Sequence, residues 1–241
     1  METESFIQDT EKEKEEKRAN PVQYYVKFSF TMTYILLLTT ATITFIEAIR
    51  TKYPYARHIL NLETAISVIA GYFYSVFVMK IEEYSKADKK IDWADITITR
   101  YIDWSITTPL MMLALCIVLS TNINKTIHAG TMLSIVGLNY TMLYLGYLGE
   151  TNALKRITAM FYSFVAFFAM FSIIFINFVL PKYRLDNYIL YGLYLFIWSL
   201  YGVAYMFNEE YKNIAMNILD ATAKCLIGLG LWLYYIGVIK L

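Results

Sequence analysis

Five stretches of the chain contain no Asp, Glu, Lys or Arg at all. They are residues 28–46, 104–124, 126–149, 157–181 and 187–208, with 19, 21, 24, 25 and 22 positions. A helix needs about 20 apolar residues to cross the hydrocarbon core of a bilayer. Two further segments reach that length if a few charges are tolerated: one near 58–79 containing Glu63, the other near 213–239 containing Asp220 and Lys224. Seven helices follow, at roughly 24–49, 58–82, 97–121, 126–148, 153–180, 186–208 and 212–240. No segment alternates apolar and polar residues with period two, so a membrane β-barrel does not fit. The fold class is all-α, an integral membrane bundle.

Composition narrows function. Of the 241 residues, 58% are hydrophobic and 17% charged; soluble domains run at about 45–50% and ~25%. Cys116 and Cys225 both lie inside apolar runs, which excludes a disulfide scaffold. The formal net charge of +1 gives nucleic acid no electrostatic purchase. No metal-ligand spacing is present. Residues 1–22 read as a mobile charged tail and 23–241 as one transmembrane domain. Lys and Arg in the short loops favour the 50–57 side as cytoplasmic, with the N-terminus outside and the C-terminus inside.

The charges that lipid should exclude carry the most information. Lys224 falls near the middle of the seventh helix, where a lysine costs roughly 2.5–3.5 kcal/mol even on permissive scales. Asp220 precedes it by one turn on the same face. On the third helix Arg100, Asp103 and Thr107 form a single polar stripe. One reading is an ion cluster that fixes helix packing. The other is a lysine that condenses with an aldehyde and leaves a cation governed by two carboxylates. Trp104, Trp198, Tyr201 and Tyr205 lie at matching depth and would wall a flat conjugated ligand, although stripes at that spacing are commonly core.

Three runs resemble a known family. RYIDWSITTPL (Arg100 to Leu110) is similar to the third-helix signature of the microbial, or type 1, rhodopsins. LDATAK (Leu219 to Lys224) resembles the motif around their retinal-binding lysine, and WSLY (Trp198 to Tyr201) their sixth-helix motif. Gly130, Gly137, Met142 and Gly146 fit the fourth helix. RHILNLET (Arg57 to Thr64) looks most like the rhodopsins of large viruses that infect protists. The resemblance spans about residues 24–241.

It implies a seven-helix bundle enclosing a retinal pocket, with no enzymatic activity. Lys224 would carry all-trans retinal. Asp103 would be the main counterion and proton acceptor, Asp220 the second carboxylate, and Arg100 the outward gate. Trp104, Thr107, Thr108, Met111, Met142, Gly146, Trp198, Tyr201 and Tyr205 would line the pocket, and Tyr74 would join the counterion network. The implied partners are the lipid bilayer, retinal and other copies of the chain.

Three departures from the family pattern matter. Ala114 stands where outward proton pumps carry an Asp or Glu that returns the proton. Gly202 replaces the usual proline after the sixth-helix Tyr. The loop before the seventh helix is short, leaving Glu209 and Glu210 as stand-ins for an outward carboxylate pair. Glu63 falls at a depth similar to Ala114. A lone carboxyl there would hold a proton and serve as donor, or it would constrict an ion path, or it would be hydrogen-bonded near Asn61 or Arg57. The first expectation is therefore a light-driven outward proton pump, the second a light-gated cation channel, the third a photosensor acting through a partner.

Overall fold

The structure, a computed structural model, describes residues 20–86 and 90–238. The expected tail lies outside them, apart from its last residues, which already belong to the first helix. Among the described residues seven helices follow in order: α1 Pro21–Arg50, α2 Pro54–Lys86, α3 Trp93–Asn122, α4 Ala129–Glu150, α5 Arg156–Val179, α6 Leu185–Ala204 and α7 Glu209–Tyr235. There are no strands among the described residues. In hydrocarbon every backbone N–H and C=O must be satisfied within its own segment, which is why the chain is helical throughout its spans.

Six of the seven are long and apolar enough to cross a membrane. The exception is α4, whose charge-free run is diluted by glycines, tyrosines and Asn139. It completes the ring. α1 packs on α2 and α7, α3 on α2 and α4, α5 on α4 and α6, and α6 on α7. On α1 the buried residues Val26, Phe30, Thr33, Leu37, Thr40, Ala41, Thr44 and Ala48 recur every three or four positions and face the bundle. Ile35, Leu38, Phe45 and Ile49, on its other side, are exposed.

Helix starts are set by local chemistry. The Asn20 side chain accepts the Gln23 N–H ahead of Pro21, and the Asp92 carboxylate accepts the N–H groups of Ala94 and Asp95. α2 opens on Pro54 and α3 on Trp93, each four residues before the apolar pattern suggests. Asn124 and Asn152 turn the chain after α3 and α4 with φ of 55° and 60°, a conformation asparagine tolerates better than other side chains.

Three irregularities shape the interior. Pro109 stands inside α3 and has no N–H for the Ser105 carbonyl. The Tyr140 hydroxyl on α4 donates to that carbonyl instead, at 3.1 Å. α5 ends in a π turn, Phe175–Val179. Its carbonyls find side-chain donors: Lys125 reaches Asn177 O at 2.8 Å and Asn187 reaches Phe178 O at 3.0 Å. A second π turn, Ala221–Leu226, interrupts α7 and carries Lys224. Such bulges are frequent at functional sites.

Candidate functional site

Lys224, Asp103 and Asp220 meet at the centre of the bundle, each no more than 1% exposed. Lys224 Nζ donates to Asp103 Oδ2 at 2.9 Å. Asp220 Oδ2 is 3.6 Å from the same nitrogen. The two carboxylates have unequal surroundings. Apart from Lys224, Asp103 takes one side-chain hydrogen bond, from the Thr107 hydroxyl at 3.2 Å. Asp220 accepts from Tyr201 at 2.7 Å and Trp104 Nε1 at 3.3 Å on one oxygen, and from Tyr74 at 2.7 Å on the other.

Arg100 lies one turn from Asp103 toward the start of α3 and is 2% exposed. Its Nη1 is 3.5 Å from Asp220 and donates to Tyr74 at 3.2 Å. Its Nη2 donates to Asn213 at 3.0 Å and Asn217 at 2.7 Å. The rings of Phe30 and Phe77 flank the guanidinium at 5.4 and 5.1 Å. Two cations and two carboxylates thus balance inside the buried interior, with hydrogen bonds to most of the remaining lone pairs.

Asn213 and Asn217 are absent from the sequence expectations, yet their spacing foretold them. With Asp220 and Lys224 they step down α7 by four, three and four residues, one face of a helix. Asn217 also ties α1 in: it donates to Ser29 at 2.9 Å, and its carbonyl accepts from Thr33 at 3.1 Å.

A cavity of about 110 Å³ opens beside Lys224. Trp104, Thr108, Met111, Met142 and Gly146 line it from α3 and α4, and Trp198, Tyr201 and Tyr205 from α6. Thr107, expected on that wall, turns instead to the Asp103 carboxylate. A whole side of the cavity is new: Met160, Ser163, Phe164 and Phe167 of α5. Those four recur at i, i+3, i+4 and i+7, but α5 is apolar on every face, so the spacing does not stand out. The lining is almost wholly apolar and aromatic, with the Lys224 amine in its wall. Aromatic rings wall the cavity, and the Trp198 indole N–H is buried there with no hydrogen-bond partner among the described residues.

Beyond Arg100, a second charged cluster ties the ends of α4, α5 and α7. Lys212, 2% exposed, reaches Glu150 at 2.7 Å and Glu209 at 2.8 Å. Arg156 contacts the same two carboxylates at 3.3 and 3.0 Å. Glu209 therefore does pair, but through cations and with Glu150 rather than Glu210. Lys212 is buried in the first turn of α7.

On the opposite side of Lys224, Glu63 is 2% exposed, and among the described residues neither its Oε1 nor Ser67 Oγ has a hydrogen-bond partner. Neither Asn61 nor Arg57 holds it, and Arg57 closes the α1–α2 turn on Thr51 O at 2.8 Å. Glu63 faces Gly228, one turn beyond Lys224 on α7. A methyl at 228 would lie 2.9 Å from Oε2. Ala114 on α3 is fully buried.

A sequence profile described as bacteriorhodopsin-like protein matches residues 25–238. Among solved structures, the viral rhodopsin OLPVRII is 38% identical with a TM-score of 0.82, over 89% of this chain and 99% of that one. Xanthorhodopsin, described as a light-driven ion pump with dual chromophore, is 20% identical with a TM-score of 0.72, over 88% and 93%. The proton pumping rhodopsin AR2 from the marine alga Acetabularia acetabulum is 18% identical with a TM-score of 0.69, over 89% and 96%. The last two likenesses speak to the fold alone. No curated protein matches the chain.

Proposed function

The chain belongs to the bacteriorhodopsin-like family of retinal proteins, and from that premise we propose that it is a light-driven outward proton pump holding all-trans retinal on Lys224. The observation that carries this reading is the 2.9 Å contact between Lys224 Nζ and Asp103 Oδ2. When bound, the chromophore supplies light absorption and isomerisation of a double bond; the chain's own groups handle the proton.

Lys224 Nζ holds the proton in the dark, and Asp103 is its acceptor. Asp103 suits that role because its oxygens face only Lys224 and Thr107. Asp220 stays an anion, since Tyr74, Tyr201 and Trp104 all donate to it. Arg100 faces the same carboxylates and separates them from the end of the bundle that holds Glu150 and Lys212, read as the extracellular end. Glu63 returns a proton to Lys224 from the other side. Its position supports this: its Oε2 lies against Gly228, one turn of α7 from Lys224.

A second reading, a light-gated cation channel, is favoured by the apolar Ala114 and by the unpartnered Glu63 and Ser67. Both polar groups could line an ion path through α2. Voltage-clamped membranes separate the two. A pump current keeps its sign at every voltage, while a channel current reverses near the equilibrium potential of its ion. Loss of the visible band in Lys224→Ala is expected under either reading; a coloured Lys224→Ala protein would end both.

A further inference from the structure

Gly202 and Phe164 face each other across the wall of the cavity, one on α6 and the other on α5. A Cβ added to Gly202 would overlap the Phe164 ring, against two of its carbon atoms at once. The ring therefore sits in the space that a side chain at 202 would need, including the ring of the proline expected from the family pattern. Phe164 is braced rather than loose. It stacks near Phe168 at 5.8 Å and meets Phe167 edge-on at 5.8 Å. Phe167 in turn packs on Phe171 at 4.7 Å, and Phe171 on Trp198 at 6.2 Å. Because α5 packs on α4 and α6 while Lys224 belongs to α7, this aromatic group closes the part of the cavity remote from the amine.

We propose that Gly202 and Phe164 together determine specificity at the far end of the pocket: the absent side chain at 202 lets the phenyl ring in, and the ring limits the bulk of the polyene's end group. The ligand class is a polyene aldehyde whose terminal ring carries nothing beyond its methyl groups. This rests on the retinal reading above and adds which end groups are accepted. A close-packed wall transmits a change of one methyl group, so the effect is measurable.

The test is a double-mutant cycle on the full chain, read by the rate of uptake of all-trans retinal and by the position of the visible band. Gly202→Ala should take up retinal about tenfold more slowly and absorb at a displaced wavelength, since one methylene in an apolar pocket is worth about that factor or more. Phe164→Ala in the same chain should restore uptake to within about threefold of the parent, because the two residues share one volume. A Gly202→Ala protein with parental rate and band overturns the proposal, as does a double variant no faster than Gly202→Ala alone. Should Gly202→Ala fail to fold by circular dichroism, Phe164→Ala alone decides. Its uptake of 4-hydroxyretinal relative to retinal should rise about tenfold, and an unchanged ratio overturns the proposal. All-trans-retinol, which cannot condense with an amine, gives an independent readout through quenching of tryptophan fluorescence. A parent chain that stays colourless with retinal would defeat the retinal reading, whereas unchanged retinol affinity across the cycle would defeat only the Gly202–Phe164 assignment.

Discussion

Asp220 shares a helix with Lys224, one turn away, yet Asp103 on α3 lies closer to the amine, at 2.9 Å against 3.6 Å. The reason is occupancy. Tyr201, Trp104 and Tyr74 draw the Asp220 oxygens to themselves, and Arg100 stands beside them. Asp103 has only Thr107 to compete. Two carboxylates with the same partner thus acquire different tasks from their surroundings.

Substituting each by its amide should separate those tasks. Asp103→Asn removes the acceptor, so light-driven acidification of the medium should vanish while the protein stays folded and coloured. Asp220→Asn leaves the buried Arg100 without a carboxylate and should cost about 3–5 kcal/mol of stability, the usual effect of breaking a buried pair. Thermal loss of the visible band measures it. Acidification that survives in Asp103→Asn would contradict the division of roles.

Glu63→Gln preserves shape and removes the exchangeable carboxyl proton. Because Oε1 has no partner to lose, the variant should melt within about 1 kcal/mol of the parent, as substitutions that break no specific contact do. Return of the dark state after a flash should slow about 100-fold, the lower range for loss of a positioned acid. Recovery at the parental rate would remove Glu63 from the proton path.

How much of this was legible in the sequence depends on what makes a residue conspicuous. Lys224, Asp103, Asp220 and Arg100 stand out because a charge in hydrocarbon is costly and so is retained only with a partner. Asn213 and Asn217 carry no charge and are easily passed over, although their spacing matches that of Asp220 and Lys224. The α5 wall is hidden because Met160, Phe164 and Phe167 sit among equally apolar neighbours, and only packing shows which face turns inward. The pairing of Glu150 with Lys212 joins residues 62 positions apart and needs the ring of helices to be closed. No breaker residue marks the π turn Ala221–Leu226, so sequence reads α7 as continuous. Gly202 was visible as a departure, but its meaning required Phe164.

Asn217 tests whether the polar network is structural as well as chemical. Replacing it by Leu deletes an acceptor for Arg100 and a donor to Ser29. Buried groups left without partners cost about 1–3 kcal/mol, so Asn217→Leu should lower the melting temperature clearly. Asn213→Ala should cost less, since Asn213 accepts one bond from Arg100 and otherwise donates to Glu209 O. The reverse ranking, measured by thermal bleaching, would show that Arg100 is held mainly from Asn213.

The Tyr140 hydroxyl offers a test of backbone satisfaction in the bundle. It lies on an exposed side chain, where a tyrosine would ordinarily be dispensable. Here it supplies the bond that Pro109 cannot give to Ser105 O. In hydrocarbon no water can take over, so Tyr140→Phe should cost about 0.5–2 kcal/mol, the span measured for interhelical hydrogen bonds in membranes. In a Pro109→Ala background residue 109 has an N–H that can return to Ser105 O as in an ordinary helix. The Tyr140→Phe penalty should then shrink to near zero. A penalty of the same size with and without the proline would mean that Tyr140 stabilises α4 by its ring contacts alone, and that the Ser105 carbonyl is satisfied in some other way.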